Sequence, residues 1–148
     1  MKARTFAYCR VSTAEQSVEN QIKAIRARGI RVEDDCIISE TVGGGLPAKR
    51  REKFQAMVDH GLKTGDQLVV LKLDRLGRDA IDVQNTIEDL MRKGIKVISL
   101  DLPEIDLASA EGKMILQIFS AFAQFERERL AERTREGIER ARSQGKKL

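Results

Sequence analysis

The sequence predicts an α/β fold, with a mostly parallel sheet of four to five strands and helices on both faces. Short β-branched and aliphatic runs alternate with segments whose apolar residues recur at helical spacing, and the run 67–73 is almost continuously apolar. That alternation is typical of a parallel sheet whose strands are covered on both faces. A proline-free stretch over 108–143 adds a long projecting C-terminal helix of roughly 50 Å, longer than a body of this size is wide.

The predicted elements follow a regular β-α order. Strands are expected at 5–11, 36–39, 67–73 and 95–100, and helices at 14–28, 51–62 and from about 80 to 93. Thr13 is predicted to cap the first helix in a capping box with Gln16, and Gly29 to follow its last turn. We therefore divide the chain into an α/β body over 1–107, the long helix over 108–143 and a polar, linker-like stub over 144–148.

Composition limits the classes of function. The chain has 148 residues and 41% hydrophobic residues, enough for one domain with a real core. The net charge of +4 does not by itself establish nucleic-acid binding. Cys9 and Cys36 fall in predicted strands, which favours reduced, buried thiols in a cytoplasmic protein, and with the lone His60 they make no metal site. No signal peptide or membrane-spanning run is visible, so no membrane partner is expected.

Polar side chains are concentrated where two predicted strands end. Arg10 and Ser12 close the first strand, and Asp74, Arg75 and Arg78 follow the third. Ligands bind at the carboxyl ends of strands in open α/β sheets. If the two strands are neighbours, three guanidinium groups converge near one hydroxyl, an arrangement that needs an anion between them. The pattern therefore predicts attack of the serine on a phosphodiester, with arginines rather than a metal or cofactor stabilising the charge.

Several simpler interpretations stay open. Ser12 or Thr13 could be only a helix cap, and the arginines could be surface charges. The base that deprotonates Ser12 could be Asp74, Glu126 or water. The segment 40–51, with three glycines and a proline, is either a plain surface loop or one that carries basic residues over a phosphate backbone. It is not a P-loop, because no glycine stands directly before Lys49 and no Ser or Thr directly follows it.

The long helix changes character midway. Its first half carries an apolar stripe expected to pack on the body and on another subunit: Ile115, Ile118, Phe119, Phe122 and Phe125. Its second half is dominated by Glu and Arg. That half is either a solvated helix or an arm on DNA, with phosphates contacted by Arg129, Arg133, Arg140 and Arg142.

The motifs at 8–13, 73–78 and 126–134 resemble those of serine recombinases of the resolvase/invertase family, in the same order and spacing. The resemblance covers nearly the whole chain. It implies that Ser12 is the nucleophile and that three arginines, ordered by Asp74, bind the scissile phosphate. It also implies a supporting glutamine pair, a basic residue on a mobile loop, and helix positions that organise the oligomer. Gln16 and Gln21 correspond to the supporting glutamine pair. Arg51, or Arg50 after a shift of one residue, corresponds to the basic residue on the loop. Arg129 and Glu132 correspond to the helix positions that organise the oligomer.

The resemblance also implies a wider mechanism. A homodimer would bind double-stranded DNA and assemble into a tetramer on paired sites. Four serines would then form 5′-phosphoserine links, and the strands would be exchanged and religated without ATP, metal or cofactor. A helix-turn-helix domain normally follows the long helix, so 144–148 would be the stub leading to that absent domain. The expected location is the cytoplasm, on bacterial or mobile-element DNA.

Three rival hypotheses remain. Tyr8 could be the nucleophile, Cys9 could be, or the chain could be a non-catalytic α/β module for dimerisation or regulation.

Overall fold

The computed structural model describes residues 3–11, 17–102, 107 and 109–145, and every structural statement below refers to these. Four parallel strands form one sheet: β1 (Thr5–Val11), β2 (Ile37–Thr41), β3 (Gln67–Val70) and β4 (Lys96–Ser99). Their order is β2-β1-β3-β4. The predicted α/β class, parallel sheet and long C-terminal helix are confirmed.

Four α-helices connect and extend the strands: α1 (Val18–Ala27), α2 (Glu52–Ala56), α3 (Ala80–Arg92) and α4 (Ala110–Ser143). α2 continues into a π-helical turn over Met57–Gly61. β2 lies on one side of β1, whereas β3 and β4 lie on the other, so the chain changes its direction across the sheet after β2. Because crossovers between parallel strands are right-handed, this reversal puts α1 on one face and α2 and α3 on the other.

The core is aliphatic and lies on both faces of the central strands. Leu68, Val69 and Val70 of β3 have no exposed surface, which explains why this run is apolar without alternation. Tyr8 of β1 packs edge-on against Phe54 of α2, with ring centroids 4.9 Å apart. β1 and β3 are therefore packed on both faces.

α1 begins later than the prediction of about residue 14. Ser17 is extended and caps the helix, since its hydroxyl oxygen accepts a hydrogen bond from the Asn20 amide at 3.2 Å. The predicted cap Thr13 and its partner Gln16 lie outside the described residues. Gly29 has a φ of +81°, which confirms its predicted place just after the helix, where a left-handed residue is required.

β3 ends at Val70 rather than at the predicted residue 73. The chain then makes a 3₁₀ turn over Leu73–Leu76. The Leu73 amide donates to the carboxylate of Asp101, at 3.3 and 3.4 Å from its two oxygens. The Leu73 amide is therefore bonded to the Asp101 carboxylate, which follows β4, instead of to a neighbouring strand. This contact keeps the turn close to the carboxyl ends of the strands.

α4 has 34 residues and is capped by Ser109, whose hydroxyl oxygen accepts from the Gly112 amide. Leu116 is buried in the body, and Ser120 donates to Gln84 of α3. Ile118 and Phe122 lie on the other side of the helix and are 61% and 63% exposed. The predicted apolar stripe is therefore divided. Phe119 packs against the core, Ile115 is half-buried, and Ile118, Phe122 and Phe125 face solvent. No helix in the described part of the chain is long and apolar enough to cross a membrane.

Candidate active site

The candidate site lies where the order of the sheet reverses, at the carboxyl ends of β1 and β3. These two strands pair directly, with Ala7 opposite Val69, as the sequence analysis required. In an open α/β sheet the connections diverge at such a point and leave a crevice for a ligand. Arg10 is the penultimate residue of β1, and Arg75 lies in the turn after β3. Both arginines are therefore anchored at the edge where the crevice forms.

Arg10 is covered by the glycine-rich loop. Its side chain is only 6% exposed, and Nη1 donates to the Val42 carbonyl at 3.1 Å. A Cβ at Gly44 would stand 3.5 Å from Nη2, so the loop backbone lies directly on the guanidinium. Gln21 of α1 is fully buried, and its amide nitrogen donates to the Arg10 carbonyl at 3.4 Å. This contact fits the predicted supporting role of Gln21 and fixes the backbone at Arg10.

Arg75 is buried beside the end of β1. Its positive charge lies near enough to Cys9 to lower the pKa of that thiol, but burial dominates and raises the pKa to about 11. Cys9 is therefore a protonated, fully buried thiol at neutral pH. A thiolate nucleophile would need the opposite shift, which argues against the Cys9 hypothesis.

Arg51, the predicted basic residue of the loop, is buried rather than exposed. Its side chain has no exposed surface. Nη1 donates to the Arg75 carbonyl at 2.7 Å, and Nε donates to the Leu46 carbonyl at 2.9 Å. Arg51 thus ties the loop to the Arg75 turn from within. Arg50, the alternative, is exposed to solvent.

A buried carboxylate that the sequence analysis missed supports this region. Glu40 of β2 accepts from the Tyr8 hydroxyl at 2.9 Å and from the Lys53 and Phe54 amides at 2.9 and 3.3 Å. Burial, and then this carboxylate, raise the pKa of Tyr8 well above its usual range. A buried tyrosine that stays protonated and donates a hydrogen bond to a carboxylate is a poor nucleophile, so Tyr8 is structural in this arrangement.

Arg78 is the accessible arginine, with a side chain that is 54% exposed. Its guanidinium pairs with Asp79, whose Oδ2 lies 3.6 Å from Arg78 Nε and 4.0 Å from Arg127 Nη1 of α4. The predicted partner Asp74 is exposed and makes no ion pair with any described residue. Asp79 rather than Asp74 therefore pairs with Arg78 among the described residues, since the 3₁₀ turn leaves Asp74 exposed.

The predicted DNA-contacting arginines of α4 are exposed, as is Glu132: Arg129, Arg133, Arg140 and Arg142. Arg129 lies 3.7 Å from Glu126 Oε1 and over the Phe125 ring, 5.8 Å from its centroid. Sequence reasoning missed Arg127, the residue through which α4 reaches the site. Its spacing from Leu116 and Ser120 on the packed face is the signal that could have found it.

Two predicted site residues, Ser12 and Gln16, lie outside the described residues. In sequence, Ser12 directly follows Val11, the last residue of β1. Within the described ranges no group of three His, Cys, Asp or Glu side chains could hold a metal ion.

Comparison with known proteins identifies the family. The model for "Resolvase, N terminal domain" matches residues 5–147. The chain belongs to the resolvase family of site-specific recombinases. It is 46% identical over 146 residues to the transposon Tn2501 resolvase of Escherichia coli, which covers 99% of this chain and 75% of that protein. It is 47% identical over 146 residues to the serine recombinase PinR of E. coli K12, covering 99% and 74%.

Solved structures of related recombinases have the same fold as this chain. The N-terminal catalytic domain of the TP901-1 integrase matches with a TM-score of 0.60 and 30% identity, covering 84% of this chain and 97% of that one. A resolvase-family site-specific recombinase from Streptococcus pneumoniae matches with a TM-score of 0.60 and 26% identity, covering 95% and 99%. The resemblance inferred from the three sequence motifs is confirmed.

Proposed function

We propose that this resolvase-family domain cleaves and rejoins double-stranded DNA with Ser12 as the nucleophile. The observation that carries the proposal is the pair of buried arginines, Arg10 and Arg75, anchored at the carboxyl ends of adjacent strands. Arg10 lies two residues before Ser12 in the sequence. Buried guanidinium groups at a sheet edge suit an anionic ligand, and a phosphodiester is the anion on which a serine recombinase acts.

The reaction exchanges one phosphodiester for another. Ser12 Oγ forms a bond to phosphorus while the bond from phosphorus to the 3′ oxygen breaks. The serine loses its proton, and the 3′ oxygen gains one. Charge that develops on the phosphoryl oxygens is stabilised by Arg10, Arg75 and Arg78. Because the phosphoserine keeps the ester linkage, attack by a 3′ hydroxyl reverses the step and rejoins DNA without ATP.

The glycine loop has to move before a phosphate can reach Arg10. Val42 and Gly44 cover that side chain, while Arg78 is already accessible. We infer that Arg78 meets the phosphate first and that the loop then withdraws from Arg10. Loop movement of this kind completes a catalytic site only when the substrate is present.

The long helix is proposed to serve both assembly and DNA contact. Exposed Ile118, Phe122 and Phe125 form an apolar face suited to a second copy of the chain, and a homodimer would pair into a tetramer on synapsed sites. The exposed arginines of the second half provide charges for phosphate contacts along the duplex.

Trapping the covalent complex tests the proposal. DNA carrying the crossover site, nicked beside the scissile bond so that the leaving strand diffuses away, should accumulate a protein–DNA adduct. Ser12→Ala should abolish the adduct, whereas Tyr8→Phe should still form it, and peptide mapping should locate the phosphate on residue 12. Adducts that persist in Ser12→Ala contradict the assignment. A phosphate mapped to Tyr8 in the wild type, together with loss of the adduct in Tyr8→Phe, supports the tyrosine alternative.

A further inference from the structure

Asp82, in the first turn of α3, joins two segments that are far apart in sequence. Its Oδ2 accepts a hydrogen bond from the Arg78 amide at 2.7 Å and another from the Ala48 amide at 3.0 Å. Ala48 begins the 3₁₀ turn over Ala48–Arg50 that ends the glycine loop, and Arg78 is the accessible arginine of the site. One carboxylate oxygen therefore holds the base of the glycine loop, at Ala48, against the segment that carries Arg75 and Arg78, which we call the arginine turn.

These contacts differ from ordinary helix capping. The N-cap of α3 is Asp79, whose Oδ1 accepts from the Asp82 amide at 2.9 Å. In a capping box, the side chain at position 82 would return to the amide of Asp79. Instead, Oδ2 reaches outside the helix to Arg78 and Ala48. The carboxylate serves the loop and the turn rather than the helix end.

Gly77 shows how closely the arginine turn lies against this carboxylate. A Cβ at position 77 would stand 2.8 Å from Asp82 Oδ2 and 2.7 Å from the Val83 amide nitrogen. Distances below 3.0 Å require one of the groups to shift, and the Val83 contact is to backbone. The missing side chain at Gly77 thus allows the Arg78 amide to approach Asp82.

The loop fixed by Asp82 runs from one arginine of the site to another. At one end Val42 and Gly44 cover Arg10, and at the other Ala48 is anchored beside Arg78. Arg51 adds a second connection, because its guanidinium donates hydrogen bonds to the carbonyls of both Leu46 and Arg75. The base of the loop is consequently fixed twice, whereas Gly44 in its glycine segment lies against the Arg10 guanidinium.

We propose that Asp82 is a positioning residue of the recombination site. Its carboxylate sets the distance between the loop that covers Arg10 and the backbone that carries Arg78, without touching the DNA. The inference rests on the proposed function, because it assigns Asp82 to the phosphate pocket. Removing the carboxylate should displace Arg78 from the phosphoryl oxygens and slow cleavage while DNA binding is preserved.

The test compares Asp82→Ala and Asp82→Asn with a control on the same helix, Asp89→Asn. The Asp89 carboxylate pairs with the Arg92 side chain, away from the arginine turn. Single-turnover formation of the covalent adduct is measured over a range of DNA concentrations. We expect Asp82→Ala to lower the maximal rate at least about tenfold with the half-saturating DNA concentration unchanged, since misplacement of a catalytic group affects the chemical step. Asp82→Asn, which keeps one acceptor oxygen, should recover part of the rate, and Asp89→Asn should match the wild type.

Amide hydrogen exchange gives a readout that does not depend on DNA. In the wild type the Ala48 and Arg78 amides should be protected, and Asp82→Ala should release both together while the Val69 amide in the sheet stays protected. Unchanged protection of either amide, an unchanged maximal rate, or a fall in rate matched by weaker DNA binding would each overturn the role of Asp82. An adduct that persists in Ser12→Ala would instead refute the proposed function, and the exchange result would still stand.

Discussion

At the scale of single residues, burial controls the chemistry of side chains that sequence alone presents as candidate nucleophiles. Cys9 is fully buried in β1, so its thiolate cannot be solvated, and its pKa rises to about 11. The unfolded chain exposes the same thiol to water, where it ionises at a lower pH. The difference makes stability depend on pH in the alkaline range.

The sign follows from the two pKa values. Below about pH 8 the thiol is protonated in both states, so its contribution is fully present there. As the pH rises, the unfolded state loses the proton first, and we expect the free energy of unfolding to fall by about 1 kcal/mol between pH 8 and 10 because of Cys9. Urea unfolding of wild type and Cys9→Ala at both pH values measures this loss. Tyr8 and Cys36, whose pKa values burial also raises, are common to both proteins, so equal losses in the two would contradict the prediction.

Arg51 shows why residue roles are harder to predict than residue positions. A basic residue that follows a loop containing glycine and proline is usually exposed to solvent, and no neighbouring residue in the sequence indicates that Arg51 is buried. Its partners are the carbonyls of Leu46 and Arg75, and the second of these is brought near only by the fold. Arg10 and Arg75 were predictable as a pair because Arg10 lies at the end of one apolar strand and Arg75 follows another, and the carboxyl ends of parallel strands share one edge of the sheet.

At the scale of elements, the N-terminus of α2 depends on a capping side chain that belongs to strand β2. Its N-cap, Arg51, has no side-chain capping bond, and the Lys53 and Phe54 amides donate to Glu40 of β2 instead. The same carboxylate accepts the buried Tyr8 hydroxyl. Three donors therefore rely on one side chain, which links β1, β2 and α2.

Glu40→Ala should consequently destabilise the domain by about 3 kcal/mol, since it leaves buried donors without an acceptor. Glu52→Ala, at the exposed first position of α2, is the matched control and should change stability by less than about 0.5 kcal/mol. Urea unfolding at pH 7 measures both. Tyr8→Phe should cost about 1 kcal/mol in the wild type and much less in Glu40→Ala, because its hydroxyl then has no carboxylate partner to lose. Additive losses would show that Glu40 does not hold Tyr8.

The order and type of the main elements were predictable, as were the bounds of β1, whereas the end of β3 and the start of α1 were not. Apolar periodicity identified all four strands and the long helix. The end of β3 at Val70 depends on Asp101, which lies 28 residues from Leu73 in sequence, and the start of α1 depends on the extended backbone at Ser17. Residues 71–73, Leu-Lys-Leu, are as compatible with a strand as the residues before them. Only the tertiary hydrogen bond distinguishes the turn from the strand.

At the scale of the whole molecule, α4 joins the catalytic body to a surface that nothing in the described chain covers. Leu116 and Ser120 face α3, and Arg127 continues that face towards Asp79 beside Arg78. Ile118 lies two residues from Leu116, about 200° around the helix, so its face is turned away from the body. A second chain that packs on this outer face would bind the helix whose Arg127 lies 4.0 Å from Asp79, the residue after Arg78.

Self-association through the outer face of α4 is therefore the prediction that belongs to the whole molecule. Ile118→Glu and Phe122→Glu each place a charge within the apolar face, and burying an unpaired charge in an interface is strongly unfavourable. We expect each to weaken the dimer at least about 100-fold, which corresponds to about 2.7 kcal/mol, in sedimentation velocity over a concentration series. Gln117→Glu adds the same charge about 100° away around the helix and should leave the dimer intact. Circular dichroism should show equal helix content in all three variants, so that loss of the dimer is not loss of the fold. Dimers that persist in both apolar-face variants, or that dissociate equally in Gln117→Glu, would assign the contact to another surface and remove the proposed link between subunit pairing and Arg78.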